Sequence, residues 1–171
     1  MALVDDHASP AVGHADHHHE PGFLGKYVFS QDHKVIGLQY GFTSLLFLFF
    51  GFTLMMFMRW QLAFPGRPLA LLGALFGQTN APGGIMLPEL YNQLGAMHGT
   101  IMVFLGVVPL AVGGFGNFVM PLQIGAIDMA FPRLNMMSFW SFFISCVFMV
   151  WSFFVPGSAA MSGAPIWSGT R

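Results

Sequence analysis

Residues 35–58 contain no charged side chain. As a helix, a run of this length extends roughly 36 Å, more than the ~30 Å hydrocarbon core of a bilayer. A backbone removed from water must satisfy its own N–H and C=O groups, and a single apolar segment does so only as a helix. Two more runs behave the same way. Residues 94–120 hold one ionisable side chain, His98, and a proline, Pro109, at which a kink is expected. Residues 134–155 carry Trp140, Phe142, Phe143, Phe148 and Trp151 and stop at Pro156-Gly157. The expectation is an all-α membrane protein with three transmembrane helices.

Composition supports this class. Charged residues make up 8% of the chain and hydrophobic ones 55%, whereas soluble domains carry about 25% charged residues. The formal net charge of −1 excludes the basic surface that a nucleic-acid partner requires. Cys146 is the only cysteine, so neither an internal disulfide nor a cysteine-rich metal site is available.

Residues 1–30 form a polar tail rich in histidine (His7, His14, His17, His18 and His19). The tail has no apolar stretch of the kind that a secretory signal requires. Divalent-metal binding and a plain solvated tail are both open readings, the second favoured by low hydrophobicity. Residues 31–171 make up the membrane region, with a proline- and glycine-rich loop over 59–93. Inside this loop Leu69 to Phe76 is apolar but too short to cross, and is expected at the interface or packed beneath the loop. Charge does not orient the spans: Lys26, Lys34 and Arg133 lie on one side, Arg59, Arg67 and Arg171 on the other.

His98 lies between Gly95 and Gly99. An ionisable residue in a span is costly and needs a partner. One reading is a hydrogen bond to a neighbouring helix carbonyl. The other is a haem iron, the two glycines leaving room for a flat ligand, with Arg59 placed to donate to a polar haem substituent. Asp128 is the only acidic side chain after Glu89. It is expected either to cap the third helix or pair with Arg133, or to collect protons for a polar path ordered by Asn117 and Asn135.

The stretch from Gly113-Gly114-Phe115-Gly116-Asn117 through Pro121-Leu122-Gln123-Ile124-Gly125 to Asp128-Met129-Ala130-Phe131-Pro132-Arg133 is highly specific. Together with His98-Gly99 before it and Ser138-Phe139-Trp140 after it, it resembles subunit I of the haem–copper oxygen reductases, and most resembles the cytochrome c oxidases with two A-type haems. The resemblance runs from Asp32-His33-Lys34 to Trp140. It implies a place in a twelve-helix, proton-pumping catalytic subunit of a bacterial inner (cytoplasmic) membrane, with a cytoplasmic N-terminus.

By the same resemblance, His98 is one axial ligand of the low-spin haem a, with Arg59 and Tyr91 as haem-binding residues. Asp128 is the entrance of the D proton channel, and Asn117 and Asn135 order water within it. No residue of this portion is implied to be catalytic. Haem a3, CuB and the second ligand of haem a belong to later helices that this chain lacks, so a portion of a longer subunit is expected. The implied partners are the remainder of subunit I, subunits II and III, the lipid bilayer, and cytochrome c as electron donor.

Three positions depart from the family pattern. Gln61 replaces a usual glutamate, which puts a structural cation in doubt, while Ile127 replaces a frequent proline and Met136 a second asparagine. Quinol oxidases of the same superfamily remain an alternative, although Phe50, Leu54 and Leu90 stand at their quinone-pocket positions and only Gln93 is retained. A three-helix haem-binding or assembly protein is a further alternative.

Overall fold

The computed structural model describes residues 22–153. The histidine-rich run and the expected end of the third span at Pro156-Gly157 lie outside the described residues. Among the described residues the secondary structure is entirely helical, and three helices are long and apolar enough to cross a membrane. They are α1 (His33–Ala63), α3 (Pro88–Ile124) and α4 (Pro132–Trp151). A shorter helix, α2 (Ala70–Asn80), lies between the first two.

Local chemistry sets the helix ends. The Asp32 carboxylate caps α1 by accepting from the Lys34 N–H at 2.9 Å. Pro88 and Pro132 stand at the first helical positions of α3 and α4, where a missing N–H costs nothing. Gly125 closes α3 in the left-handed region (φ 69°), and the Ala126 N–H bonds back to the Pro121 carbonyl at 3.0 Å.

The helix boundaries around the first connection differ from the sequence expectation. α1 continues past Arg59 and Trp60 to Ala63, and α3 begins at Pro88, so the expected 59–93 loop is largely helical. Leu72 of α2 is completely buried and packs with Leu54, Met58, Met86 and Leu90. One side of the apolar segment is therefore packed beneath the connection, while Leu71 and Leu75 are exposed. Pro109 leaves α3 unbroken: Val108 keeps helical angles (φ −64°, ψ −49°) and its N–H reaches the Val103 carbonyl five residues back. The helix is π-helical over Ile101–Val107 and Pro109–Phe115, a wider winding that absorbs the proline's missing donor.

α1 and α3 pack antiparallel, pairing Met58 with Gly95, Gly51 with Met102, Leu48 with Gly106 and Tyr40 with Gly113. Lipid tails are as apolar as leucine, so association of spans relies on close packing at small residues and on polar contacts. Gly113 shows the requirement directly, since a Cβ there would overlap the Tyr40 ring. α4 is peripheral: 11% of its most apolar stretch is buried, against 33% for α1 and α3.

Candidate haem-ligand and proton-path site

The functional side chains form two clusters on the α1–α3 pair. Gly51 and Tyr40 are eleven residues apart on α1, which separates the clusters by roughly 16 Å along the helix.

In the first cluster the half-buried His98 directs Nδ1 at the Gly51 carbonyl of α1, 2.8 Å away. A carbonyl only accepts, so Nδ1 carries the proton and Nε2 of the neutral ring keeps its lone pair. Among the described residues Nε2 makes no hydrogen bond. The interhelical hydrogen bond expected for an unliganded histidine is thus present, yet it occupies only one ring nitrogen.

The two glycines that flank His98 differ in their surroundings. A Cβ at Gly99 would meet nothing within 4 Å, whereas one at Gly95 would stand 3.3 Å from the Met58 methyl. Gly99 opens space and Gly95 admits α1. Arg59 is exposed, and on the α1 axis it stands eight residues, ~12 Å, beyond Gly51. It therefore stands about two turns from the level at which His98 meets α1. Half-buried Tyr91 lies two turns before His98 on α3, against the main core.

The second cluster joins α1, α3 and α4 around a cavity of about 510 Å³ lined by Tyr40, Pro109, Asn117, Met129, Asn135 and Ser138 among others. Asn117 donates from Nδ2 to the Gly113 carbonyl at 2.7 Å, which turns its Oδ1 towards α4. There it accepts from Asn135 Nδ2 at 2.7 Å. Ser138 donates to the Asn135 carbonyl at 2.6 Å. With its only proton spent, the Ser138 hydroxyl accepts from the Tyr40 hydroxyl at 3.1 Å.

His33, buried at the start of α1, donates from Nδ1 to the Asn117 backbone carbonyl at 2.9 Å. In a regular helix that carbonyl would accept from residue 121. Residue 121 is Pro121, which has no N–H, and His33 supplies the missing donor.

Asp128 is exposed in the connection between α3 and α4. It neither caps α4, which begins after Phe131 without a side-chain cap, nor pairs with Arg133 among the described residues. Its Oδ1 instead accepts the Met129 N–H at 2.7 Å. That bond holds the carboxylate against the backbone of Met129, a residue that lines the cavity.

The sequence picked out Asn117 and Asn135 as site residues and gave Tyr40, Ser138 and His33 no role in the site. A usable signal existed for two of them: Ser138 follows Asn135 by one turn, and Pro121 follows Asn117 by four residues. Among the described residues no group of three or more His, Cys, Asp or Glu side chains could hold a bare metal ion, so an iron at His98 would have to bring most of its ligands with it.

The sequence matches the family model described as cytochrome c and quinol oxidase polypeptide I over residues 35–168. It is 46% identical over 114 residues to cytochrome c oxidase subunit 1 of Thermostichus vulcanus, covering 67% of this chain and 18% of that protein. Identity to the subunit of the same name from Synechocystis sp. is 43% over 129 residues, 75% of this chain and 20% of the relative. A putative cytochrome c oxidase subunit 1-beta of Streptomyces coelicolor is 42% identical over 151 residues, 86% and 23% respectively. The chain spans about a fifth of the length of these curated relatives.

Proposed function

Because the chain belongs to the cytochrome c and quinol oxidase polypeptide I family, the subunit I of haem–copper oxidases, we propose that it supplies two working parts of a terminal oxidase. One is an axial ligand of a low-spin haem a, His98. The other is the entrance of a proton path at Asp128. On this reading residues 31–171 belong to the membrane region and residues 1–30 form its extension.

The observation that carries the reading is the hydrogen bond from His98 Nδ1 to the Gly51 carbonyl. It fixes the ring's tautomer and direction and leaves Nε2 as the nitrogen able to bind iron, the arrangement usual for metal-bound histidines. A bound haem supplies one-electron redox chemistry. The open space at Gly99 is compatible with a flat macrocycle. Arg59 would hold a polar substituent by a charge-assisted hydrogen bond, and Tyr91 would flank the same helix face. Haem a3 and CuB would be held by the remainder of the subunit.

Exposed Asp128 would take protons from water at its membrane face and pass them to the cavity that Asn117 and Asn135 border. The cluster's ordered hydrogen bonds support this, since they leave Asn135 Oδ1 free to accept from water. On this reading that face, and the N-terminus, lie in the cytoplasm of a bacterial cell, with the chain in the inner membrane. Subunits II and III would be its neighbours there.

Cytochrome c is the proposed donor. Leu54 and Leu90, which stand where quinol oxidases carry polar pocket residues, are 2% and 1% exposed and lie in one apolar cluster with Leu72 of α2. A quinol head group there would give up its hydrogen bonds to water for apolar surroundings in which Gln93 is the one retained polar side chain.

The test is a reduced-minus-oxidised spectrum of the purified complex. His98→Ala is expected to abolish the low-spin A-type band, and an unchanged band would rule out the ligand assignment.

A further inference from the structure

Met129 stands between the exposed Asp128 and the polar cavity, and the proton-path reading gives it no role. Its Sδ lies 3.2 Å from Asn135 Nδ2. That same nitrogen also donates to Asn117 Oδ1 at 2.7 Å. A carboxamide nitrogen has two protons, and both are therefore committed, one to an amide oxygen and one to a thioether that can only accept.

The orientation of Asn135 is consequently determined from both sides. Asn117 cannot turn over, because its own Nδ2 is held by the Gly113 carbonyl, and so it presents oxygen to Asn135. Met129 also presents an acceptor. Turning Asn135 over would set its Oδ1 against the Asn117 oxygen and the Met129 sulfur, two repelling contacts in place of two hydrogen bonds. In the observed orientation Oδ1 is left over as an acceptor. Asn117, Met129 and Asn135 all line the same cavity.

We propose that Met129 is a positioning residue for proton uptake. Its sulfur, together with Asn117, locks the Asn135 carboxamide so that Oδ1, and not the amide protons, meets water arriving from the Asp128 side. The polarity of the first water in the path is thereby set by a thioether. This inference rests on the reading of Asp128 and Asn135 as a proton path. A leucine at the same position would fill similar volume without an acceptor, so the proposal separates the sulfur's chemistry from its bulk.

The experiment uses the assembled oxidase in sealed vesicles, with oxygen consumption, proton uptake and the haem spectrum measured on each variant. Met129→Leu is expected to slow proton uptake about threefold, as loss of one weak hydrogen bond would, with the haem spectrum unchanged. Met129→Gln, whose side-chain oxygen restores an acceptor, is expected to recover most of the rate. Met129→Ala removes the sulfur by truncation and is made in parallel, so that failure of one variant to assemble leaves the other to read. Uptake at the wild-type rate in Met129→Leu or Met129→Ala overturns the proposal. Equal slowing in the Leu and Gln variants overturns it too, because packing alone would then account for the effect. Asp128→Asn separates the two levels: if it leaves uptake unchanged, the path reading itself fails, whereas slowing in Asp128→Asn beside a normal Met129→Leu removes only the role of Met129.

Discussion

His98 Nδ1 and the Gly51 carbonyl, 2.8 Å apart on antiparallel helices, make the orientation of the proposed haem ligand a property of the α1–α3 contact. Gly51 contributes through its backbone and through the absence of a side chain. A Cβ there would stand 2.8 Å from Met102 Sδ and 3.4 Å from Ile101 Cγ2. The residue that accepts from the histidine is thus also the one that lets α3 come near enough to donate.

Gly51→Ala should therefore perturb the ligand without removing it. Met102 is flexible and can yield, so the cost is about 1 kcal/mol, the low end for an overpacked methyl. The haem should be retained with a displaced reduced band. Adding Met102→Ala, which clears the space, should return the band towards its original position. A band unmoved by Gly51→Ala would mean that the Gly51 contact does not set the ring's direction.

His33 and Pro121 are coupled through the Asn117 carbonyl. His33→Leu leaves that buried acceptor without a donor, at a cost of about 1–3 kcal/mol. Pro121→Ala restores the N–H of residue 121. In the His33→Leu background it should recover much of the lost stability, and in the wild type it should gain little. A double-mutant cycle by thermal unfolding of the complex reads this directly, and strict additivity of the two changes would refute the coupling.

The three spans were legible in the sequence because a bilayer-length run without charge admits one backbone solution. His98 and Asp128 were legible because each is chemically alone in its segment. The route by which Asn117, Asn135, Ser138 and Tyr40 meet was not, since it depends on the register between three helices, and a glycine such as Gly113 announces only that something comes near. The continuity of α3 through Pro109 was hidden for a related reason. Proline specifies the lost hydrogen bond, while the π-helical winding that absorbs it is decided by packing against α1. The extension of α1 to Ala63 escaped because Arg59 and the proline-rich connection read as an ending, whereas packing of the Leu69 to Phe76 segment was one of two placements the sequence allowed.

Tyr40 serves by its ring and by its hydroxyl, and two substitutions separate these uses. Gly113→Ala drives a methyl into the ring and should lower assembly of the complex, with an overpacking cost of about 1–3 kcal/mol. Tyr40→Phe keeps the ring and removes only the bond to Ser138, so assembly should be preserved. Ser138 then loses a donor but keeps its own bond to the Asn135 carbonyl. Proton uptake in the Phe variant should fall by a small factor, about two- to fivefold, as expected for one neutral hydrogen bond. If Tyr40→Phe prevents assembly as Gly113→Ala does, the hydroxyl is structural and the cavity's polar chain ends at Ser138.

Asp128→Asn tests the entrance itself. The carboxylate is exposed, makes no ion pair among the described residues and accepts a hydrogen bond only from the neighbouring Met129 N–H. An asparagine can still accept that bond, so the loop should keep its shape, and stability should change by less than about 0.5 kcal/mol, as at most exposed sites. What asparagine cannot do is take up and release a proton. Oxygen turnover is accordingly expected to slow and proton pumping to be lost in vesicles, while the reduced-minus-oxidised haem spectrum remains that of the wild type. Unchanged proton stoichiometry would remove Asp128 from the path. A changed spectrum would show that the substitution had disturbed the helices instead, because His98 lies roughly 16 Å or more along the bundle from the Asn117 cluster and shares no hydrogen bond with it.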